Sequence, residues 1–308
     1  MKKLLSVLLC AAMLLCLLPL EARAAAAAWD GTVDISWYDP AQTEYTIDTP
    51  AKLAGLAALV NGMVDPAAKA IVGDRSYLVS KKVDNVMLVG AGGGNVFDTV
   101  YTGGVDFAYK TIYLTADLDM GGRKAADGSW TGPNWTPIGG KFPMKPQEAS
   151  SDCLTLDTRF NGVLDGQGHT IYNLYCDRCA AKGFPYSMAV GVVGFLGGNA
   201  DYANGGNGEK TEAEFENGWQ PAVRNLVLGS GSIYGRRMVG GIVGRVGETS
   251  NGVVIENCGN RADVRNTDSK GVGGICGSAW GAGTIRGCYN TGTISTTYTC
   301  PAGGILGT

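Results

Sequence analysis

The sequence predicts an all-β fold of stacked coils, a parallel β-solenoid closed at one end by a short helix. Three observations carry that expectation. Glycine fills 48 of 308 positions, about twice ordinary usage. A short motif, Gly-Val/Ile-x-Gly, returns at Gly191-Val192-Val193-Gly194, Gly241-Ile242-Val243-Gly244, Gly274-Ile275-Cys276-Gly277 and Gly304-Ile305-Leu306-Gly307. A second motif interleaves with it: Ile171-Tyr172-Asn173-Leu174, Val223-Arg224-Asn225-Leu226, Ile255-Glu256-Asn257-Cys258 and Ile285-Arg286-Gly287-Cys288.

At the N-terminus, Lys2 and Lys3 precede an apolar run from Leu4 to Leu18. Pro19 ends the run, and Ala22-Arg23-Ala24 supplies small residues for cleavage. This is the anatomy of a secretory signal peptide over residues 1–24, with Ala26-Ala27-Ala28 as the alternative cleavage region; the run is too short for a stable membrane span. Neither Cys10 nor Cys16 follows the small residues that lipid attachment requires. The formal charge of −3 includes +2 from Lys2, Lys3, Glu21 and Arg23, so the exported part sits near −5. With no basic stripe and no second apolar run of membrane length, nucleic acid and membrane insertion after cleavage are not expected.

Residues 25–64 read as a strand-rich lead-in followed by a helix. Asp48 or Thr49 caps the helix, Pro50 fits its first turn, and Asn61-Gly62 ends it. Leu53, Leu56, Leu59 and Val60 recur at helical spacing and predict one apolar face, which would cap the open end of a solenoid. Residues 65–104 fit no repeat and read as an insertion containing the strand-like run from Asn85 to Val89 and the glycine run from Gly90 to Gly94. From 105 to 308 the chain reads as the solenoid itself. It opens with Thr111-Ile112-Tyr113-Leu114 and Asp117-Leu118-Asp119-Met120, closes that unit at Trp135–Gly139, and passes through a polar loop over Lys141–Ser151. The last three Gly-Ile-x-Gly copies are spaced 33 and 30 residues apart, and a polar insertion over 199–220 stretches the first gap to 50.

Three short strands per unit of about 30 residues predict coils whose strands lie parallel to those of the coils above and below. Ile255 and Ile285 then stack on each other, as do Ile242, Ile275 and Ile305. Asn in the Ile-x-Asn bend can adopt the left-handed conformation, which lets Ile255 and Cys258 both face inward. Glycines in the Gly-Gly-Ile-x-Gly bends are expected to supply positive φ. The chain stops one strand into a further repeat, which leads to the expectation of a longer protein.

The Gly-Gly-Ile-x-Gly and Ile-x-Asn-Cys runs resemble the GLUG repeats of bacterial cell-surface and secreted proteins of the pectin-lyase-like β-helix type. Leu164-Asp165-Gly166-Gln167-Gly168-His169-Thr170-Ile171 resembles the coil that precedes such repeats, and Thr49-Pro50-Ala51-Lys52-Leu53 and Leu114-Thr115-Ala116-Asp117-Leu118-Asp119 resemble their lead-in. The resemblance covers most of residues 45–308. It implies a right-handed parallel β-helix and a secreted or cell-surface role, and it gives His169 a structural place.

Four stretches carry residues with candidate chemistry. Val86–Asn95 has the strand and glycines of a dinucleotide loop, but Asn95 stands at the third glycine position and no helix pattern follows. Cys176 and Cys179, with Cys153 and His169, have zinc-ligand spacing, against which structural cysteines are the favoured reading. Asp117 and Asp119 share a strand face and could hold calcium or do acid–base work, with a hydrogen-bonding turn role favoured. Trp130, Trp135, Trp219 and Trp280 could stack on sugar rings if they shared an exposed side. Asp165 reads as a turn residue; Asp263, Arg265 and Arg286 read as scattered. A single histidine, His169, removes His-Glu-x-x-His metal sites and leaves one possible triad base. No residue is therefore assigned as catalytic, cofactor-binding or metal-ligating. The seven cysteines left after the leader (Cys153, Cys176, Cys179, Cys258, Cys276, Cys288 and Cys300) are expected mainly as buried small hydrophobes. The expected function is a scaffold for adhesion or for binding a protein or glycan ligand. The alternative is an accessory region of a larger secreted peptidase or carbohydrate-active enzyme.

Overall fold

The computed structural model describes residues 27–62, 64–65, 70–71, 87–88, 95–96, 104–143, 154–179, 188–198, 201–204 and 213–308. Residues 1–24, where a signal peptide is expected, Cys153 and the glycine run 90–94 lie outside the described residues. Strands are the main regular structure among the described residues, with one α-helix, Pro50–Val60.

Each turn of chain places its strands directly against those of the previous turn. One sheet of six parallel strands collects Glu44–Ile47, Thr111–Leu114, Val163–Asp165, Ala222–Arg224, Val253–Glu256 and Gly283–Arg286. A second, of five, collects Leu118–Asp119, Thr170–Tyr172, Val227–Leu228, Gly259–Asn260 and Tyr289–Asn290. Leu174–Asp177, Gly231–Gly235, Asp263–Asn266 and Ile294–Thr296 make a third. Two more are built from Met188–Val190, Arg237–Gly240, Val272–Gly273 and Ala302–Gly303, and from Val193–Leu196, Val243–Val246 and Cys276–Ala279. A full pass such as 253–279 therefore holds five short strands, where the sequence pattern predicts three. The two extra ones, Gly259–Asn260 and Val272–Gly273, are two residues long and sit between bends, too short for alternation to reveal them.

The predicted stacking is present. Ile255 pairs with Ile285, and the Ile242 N–H donates to Ile275 as the Ile275 N–H donates to Ile305. Inward columns such as Tyr45–Ile112–Leu164–Val223–Ile255 are buried along their length. Asn173, Asn225 and Asn257 have φ of 56°, 54° and 52°, the left-handed bend that turns both Ile255 and Cys258 inward. The glycines of the Gly-Gly-Ile-x-Gly bend behave otherwise: Gly240, Gly241, Gly273 and Gly274 do not have positive φ. A Cβ on Gly273 would lie 2.0 Å from the Cys276 carbonyl oxygen, and one on Gly274 would lie 2.1 Å from that of Gly304. Close approach of backbone, within a pass and between passes, is what demands glycine there.

One inward column changes character along its length: Leu118, Ile171 and Leu228 are followed by Asn260 and Asn290. Asn260, with no exposed surface, accepts from the Ala262 N–H at 3.1 Å and donates to the Ala262 carbonyl and to Asn290 Oδ1 at 3.0 and 2.7 Å. It satisfies the bend that follows. Asn260→Ala is expected to cost about 1–3 kcal/mol, because the buried Ala262 N–H loses its acceptor; urea unfolding measures it.

The helix begins where Thr49 Oγ1 accepts from the Lys52 N–H at 3.3 Å. It is buried on almost every side, not on one face. Ala54, Gly55, Ala57 and Ala58 leave the second side thin enough for the lead-in to lie against it: a Cβ on Gly55 would fall 2.0 Å from the Asp34 carbonyl oxygen. The lead-in holds one strand, Glu44–Ile47. The rest is a series of turns held by Asp30, Asp34 and Asp39, each accepting an N–H two residues on. Its rings, Trp37, Tyr38 and Tyr45, gather around Phe107. Within 65–104, Met87–Leu88 pairs antiparallel with Asn95–Val96. The expected loop after Gly140 begins as a strand, Gly140–Pro143, in an antiparallel sheet with Leu154–Thr158 and Asp201–Asn204.

Candidate functional site

Two outward faces adjoin each other. On the six-stranded sheet the outward positions of successive passes are Tyr113, Asp165, Arg224, Glu256 and Arg286. Arg224 Nε lies 2.9 Å from Asp165 Oδ2, and Arg286 reaches both Glu256 oxygens at 2.8 and 3.0 Å. Arg286 is thus the end of an alternating charge ladder, not a scattered residue. Asp263 and Arg265 stand apart, on Lys124 at 3.4 Å and over the Tyr234 ring at 5.0 Å. Burial pushes the Asp165 carboxyl up, but hydrogen bonds from Asn225, the Gln167 N–H and Arg224 outweigh it and hold its pKa below the usual value.

At the bend beside this ladder the Asn side chains form a second row. Asn225 donates to Asp165 Oδ1 at 3.0 Å, and Asn257 donates to Asn225 Oδ1 at 3.2 Å. Next to them lies an open groove of about 520 Å³ lined by Gln167, Gly168, Asn225, Val227 and Asn257. Beyond it, on the five-stranded sheet, two tyrosines are exposed: Tyr172 (42%) and Tyr289 (39%). Each ring has a glycine beside it on the neighbouring strand. Tyr172 lies against Gly229, and the Tyr289 ring lies over Gly259, where a Cβ would come within 2.3 Å of it. Arg261 donates to Tyr289 Oη at 3.2 Å. The surface so formed combines amide donors and acceptors, a short apolar floor and two ring faces.

The other residues considered for chemistry have structural partners. Asp117 Oδ1 lies 3.0 Å from His169 Nδ1 and accepts from the Thr170 N–H at 3.1 Å. Asp119 accepts from the Gly121 N–H and from Asn173 at 2.9 and 3.0 Å. Cys176 is buried in the core, its thiol pushed up to about 11 by burial, while Cys179 sits 3.6 Å from Thr267 Oγ1. No group of three or more metal-capable side chains is found among the described residues. Nor do the tryptophans share a side. Trp135 is buried, Trp219 packs on Tyr109 at 5.4 Å, Trp130 lies 6.0 Å from Lys124 Nζ, and Trp280 lies under Arg245. The exposed tyrosines were missed because no spacing rule separates them from the chain's other tyrosines until the register is known.

Asp268 anchors the bend before the Gly-Gly-Ile run, accepting from Arg236 and Arg237 at 3.0 and 2.9 Å. Burial raises its pKa, but hydrogen bonds from Ser269 and Arg237 and the Arg237 charge prevail and lower it to about 2. A depressed folded pKa contributes stability that is present above the unfolded value and lost as pH falls through the folded one. Melting temperature is therefore expected to fall between about pH 4 and pH 2. Asp268→Asn should lower it at neutral pH and flatten the acid limb.

The GLUG motif family matches residues 268–295, which run from Asp268 through Tyr289 and Ile294. The chain carries a GLUG motif there, in the form of parallel strands that pair with the pass before. Halomucin of Haloquadratum walsbyi (strain DSM 16790 / HBSQ001) is 32% identical over 142 residues, which is 43% of this chain and 1% of Halomucin. The crystal structure of a candidate immunoglobulin A1 protease from Bacteroides ovatus aligns with a TM-score of 0.42 at 19% identity, over 86% of this chain and 61% of that one. A likeness of that degree carries nothing on chemistry. No described helix is long and apolar enough to cross a membrane.

Proposed function

We propose that this chain is a right-handed parallel β-helix of a secreted or cell-surface protein, a rigid scaffold that binds an extended ligand on its side and performs no catalysis itself. The insertions at 65–104 and 199–220 vary the surface that the coil displays. The observation that carries this reading is the groove of Gln167, Asn225, Val227 and Asn257 beside the exposed rings of Tyr172 and Tyr289. The charged side chains of the neighbouring ladder are paired with one another, which leaves amides and rings to meet a ligand. Amides that both donate and accept match hydroxyl groups, and exposed rings offer apolar faces to the C–H side of a sugar. Successive passes repeat at about 4.8 Å, close to the rise of one hexose in an extended chain. A neutral glycan is therefore the ligand class favoured here.

The test is a screen of residues 25–308 against immobilised glycans and host or cell-surface proteins. Binding to a neutral glycan supports the reading in full; binding only to proteins keeps the scaffold and removes the glycan. Binding to neither, by a protein with a β-type far-UV spectrum, removes the function. A second reading, an accessory region of a larger secreted peptidase or carbohydrate-active enzyme, rests on the sequence resemblance alone. A catalytic domain encoded beyond Thr308 would favour it.

A further inference from the structure

We propose that Cys258 and Cys288 are a disulfide-forming pair that staples neighbouring passes of the coil by exchange with a small-molecule disulfide. The two cysteines occupy the same position of the repeat, 30 residues apart. Register makes them neighbours: Gly259 pairs with Tyr289, and the Tyr289 N–H donates to the Cys258 carbonyl at 3.0 Å. Strands in register lie about 4.8 Å apart, within the Cα separation that a disulfide spans. Their side chains are placed alike. Each sulfur lies 3.3 Å from the carbonyl oxygen two residues before it, Glu256 or Arg286, and near one from the preceding pass, Val223 at 3.5 Å or Ile255 at 3.7 Å. The Cys258 N–H also points at Cys288 Sγ, 3.5 Å away. Both sulfurs thus hang on the same inner side, one above the other.

The bend before Cys288 differs from the bends before its counterparts. Gly287 replaces Asn there, with φ of 62°, and leaves that stretch freer to adjust as the sulfurs close. The two thiols are also unlike. Hydrogen bonding from the Cys258 thiol lowers Cys288 to about 7, and the same bond together with burial raises Cys258. Cys288 is half-buried, while Cys258 is buried. A thiolate at Cys288 attacks one sulfur of the external disulfide and releases the first thiolate. Cys258 then loses its proton to that released thiolate, attacks the mixed disulfide at Cys288 Sγ and expels the second thiolate, which takes up the proton that Cys288 gave to water when it ionised. Two protein thiols are oxidised to one disulfide, and one external disulfide is reduced to two thiols.

The test treats residues 25–308 with oxidised glutathione near pH 8, unfolds and alkylates them, and maps the peptides without reduction. The expected product joins the peptide of Cys258 to that of Cys288, lighter by two hydrogens. Cys258→Ser should convert it to a glutathione adduct on Cys288. Oxidation should raise the melting temperature of the parent protein by roughly 5 °C or more and leave Cys288→Ser unmoved. Cys276, buried with its thiol pushed up to about 12, serves as an internal control that stays reduced. Full alkylation of both Cys258 and Cys288, or a glutathione adduct on Cys288 of the parent protein that never resolves, overturns the proposal.

Discussion

In the polypeptide of residues 25–308, Gly274→Ala is expected to cost about 3 kcal/mol or more, while the same change at Gly304 leaves the stability of that polypeptide within about 1 kcal/mol. The two glycines hold the same place in successive repeats. A Cβ at Gly274 would stand 2.1 Å from the Gly304 carbonyl oxygen and 2.4 Å from Asn290 Cγ, whereas at Gly304 it meets nothing within 4 Å. The obstructing oxygen is backbone and belongs to the stacked neighbour, so relief requires the passes to separate. That would stretch the hydrogen bonds from the Gly274 and Ile275 N–H groups to Gly303 and Ile305. Urea unfolding of the two variants measures the difference. Equal stability would mean that the passes do not approach in this way.

Tyr172→Ala with Tyr289→Ala is expected to weaken glycan binding by about five- to 150-fold, since two ring faces at about 0.5–1.5 kcal/mol each sum to about 1–3 kcal/mol against 1.4 kcal/mol per decade. Both rings are exposed, so the melting temperature should stay within a few degrees. Asn257→Ala should weaken binding less, because it removes one amide from the groove. Titration calorimetry with the glycan found in the screen reads both variants. If the double tyrosine variant binds as tightly as the parent, the ligand lies elsewhere on the scaffold, and the groove loses its role while the scaffold keeps its own.

The stacking of Ile255 on Ile285 was legible because both the motif and its spacing repeat with little change. The charge ladder was also written in the chain: the middle residues of Val223-Arg224-Asn225, Ile255-Glu256-Asn257 and Ile285-Arg286-Gly287 alternate in sign. It goes unnoticed when those positions are treated as variable, because pairing between residues 30 and 32 apart depends on a register that only the folded coil supplies. The Gly-Gly bends were assigned to the right residues for the wrong cause. A glycine needed for positive φ, such as Gly287, and one needed for close approach, such as Gly274, look alike in sequence. The lead-in misled for another reason: it reads as strand-rich but holds one strand, Glu44–Ile47, and its rings Trp37, Tyr38 and Tyr45 gather on one another and on Phe107. The tyrosine face could not be read at all, since exposure of Tyr172 and Tyr289 follows from small residues, Gly229 and Gly259, one pass away.

Successive passes that lie parallel and in register bring the amides and methyl groups of one repeat against those of the next. Amide-to-amide and amide-to-methyl nuclear Overhauser contacts in a deuterated, methyl- and amide-protonated sample report that arrangement. Contacts are expected along Val223, Ile255 and Ile285, and along Ile242, Ile275 and Ile305, each between residues one repeat apart. Antiparallel contacts between strands of one pass, such as Val253–Glu256 with Asp263–Asn266, would rule the stacking out.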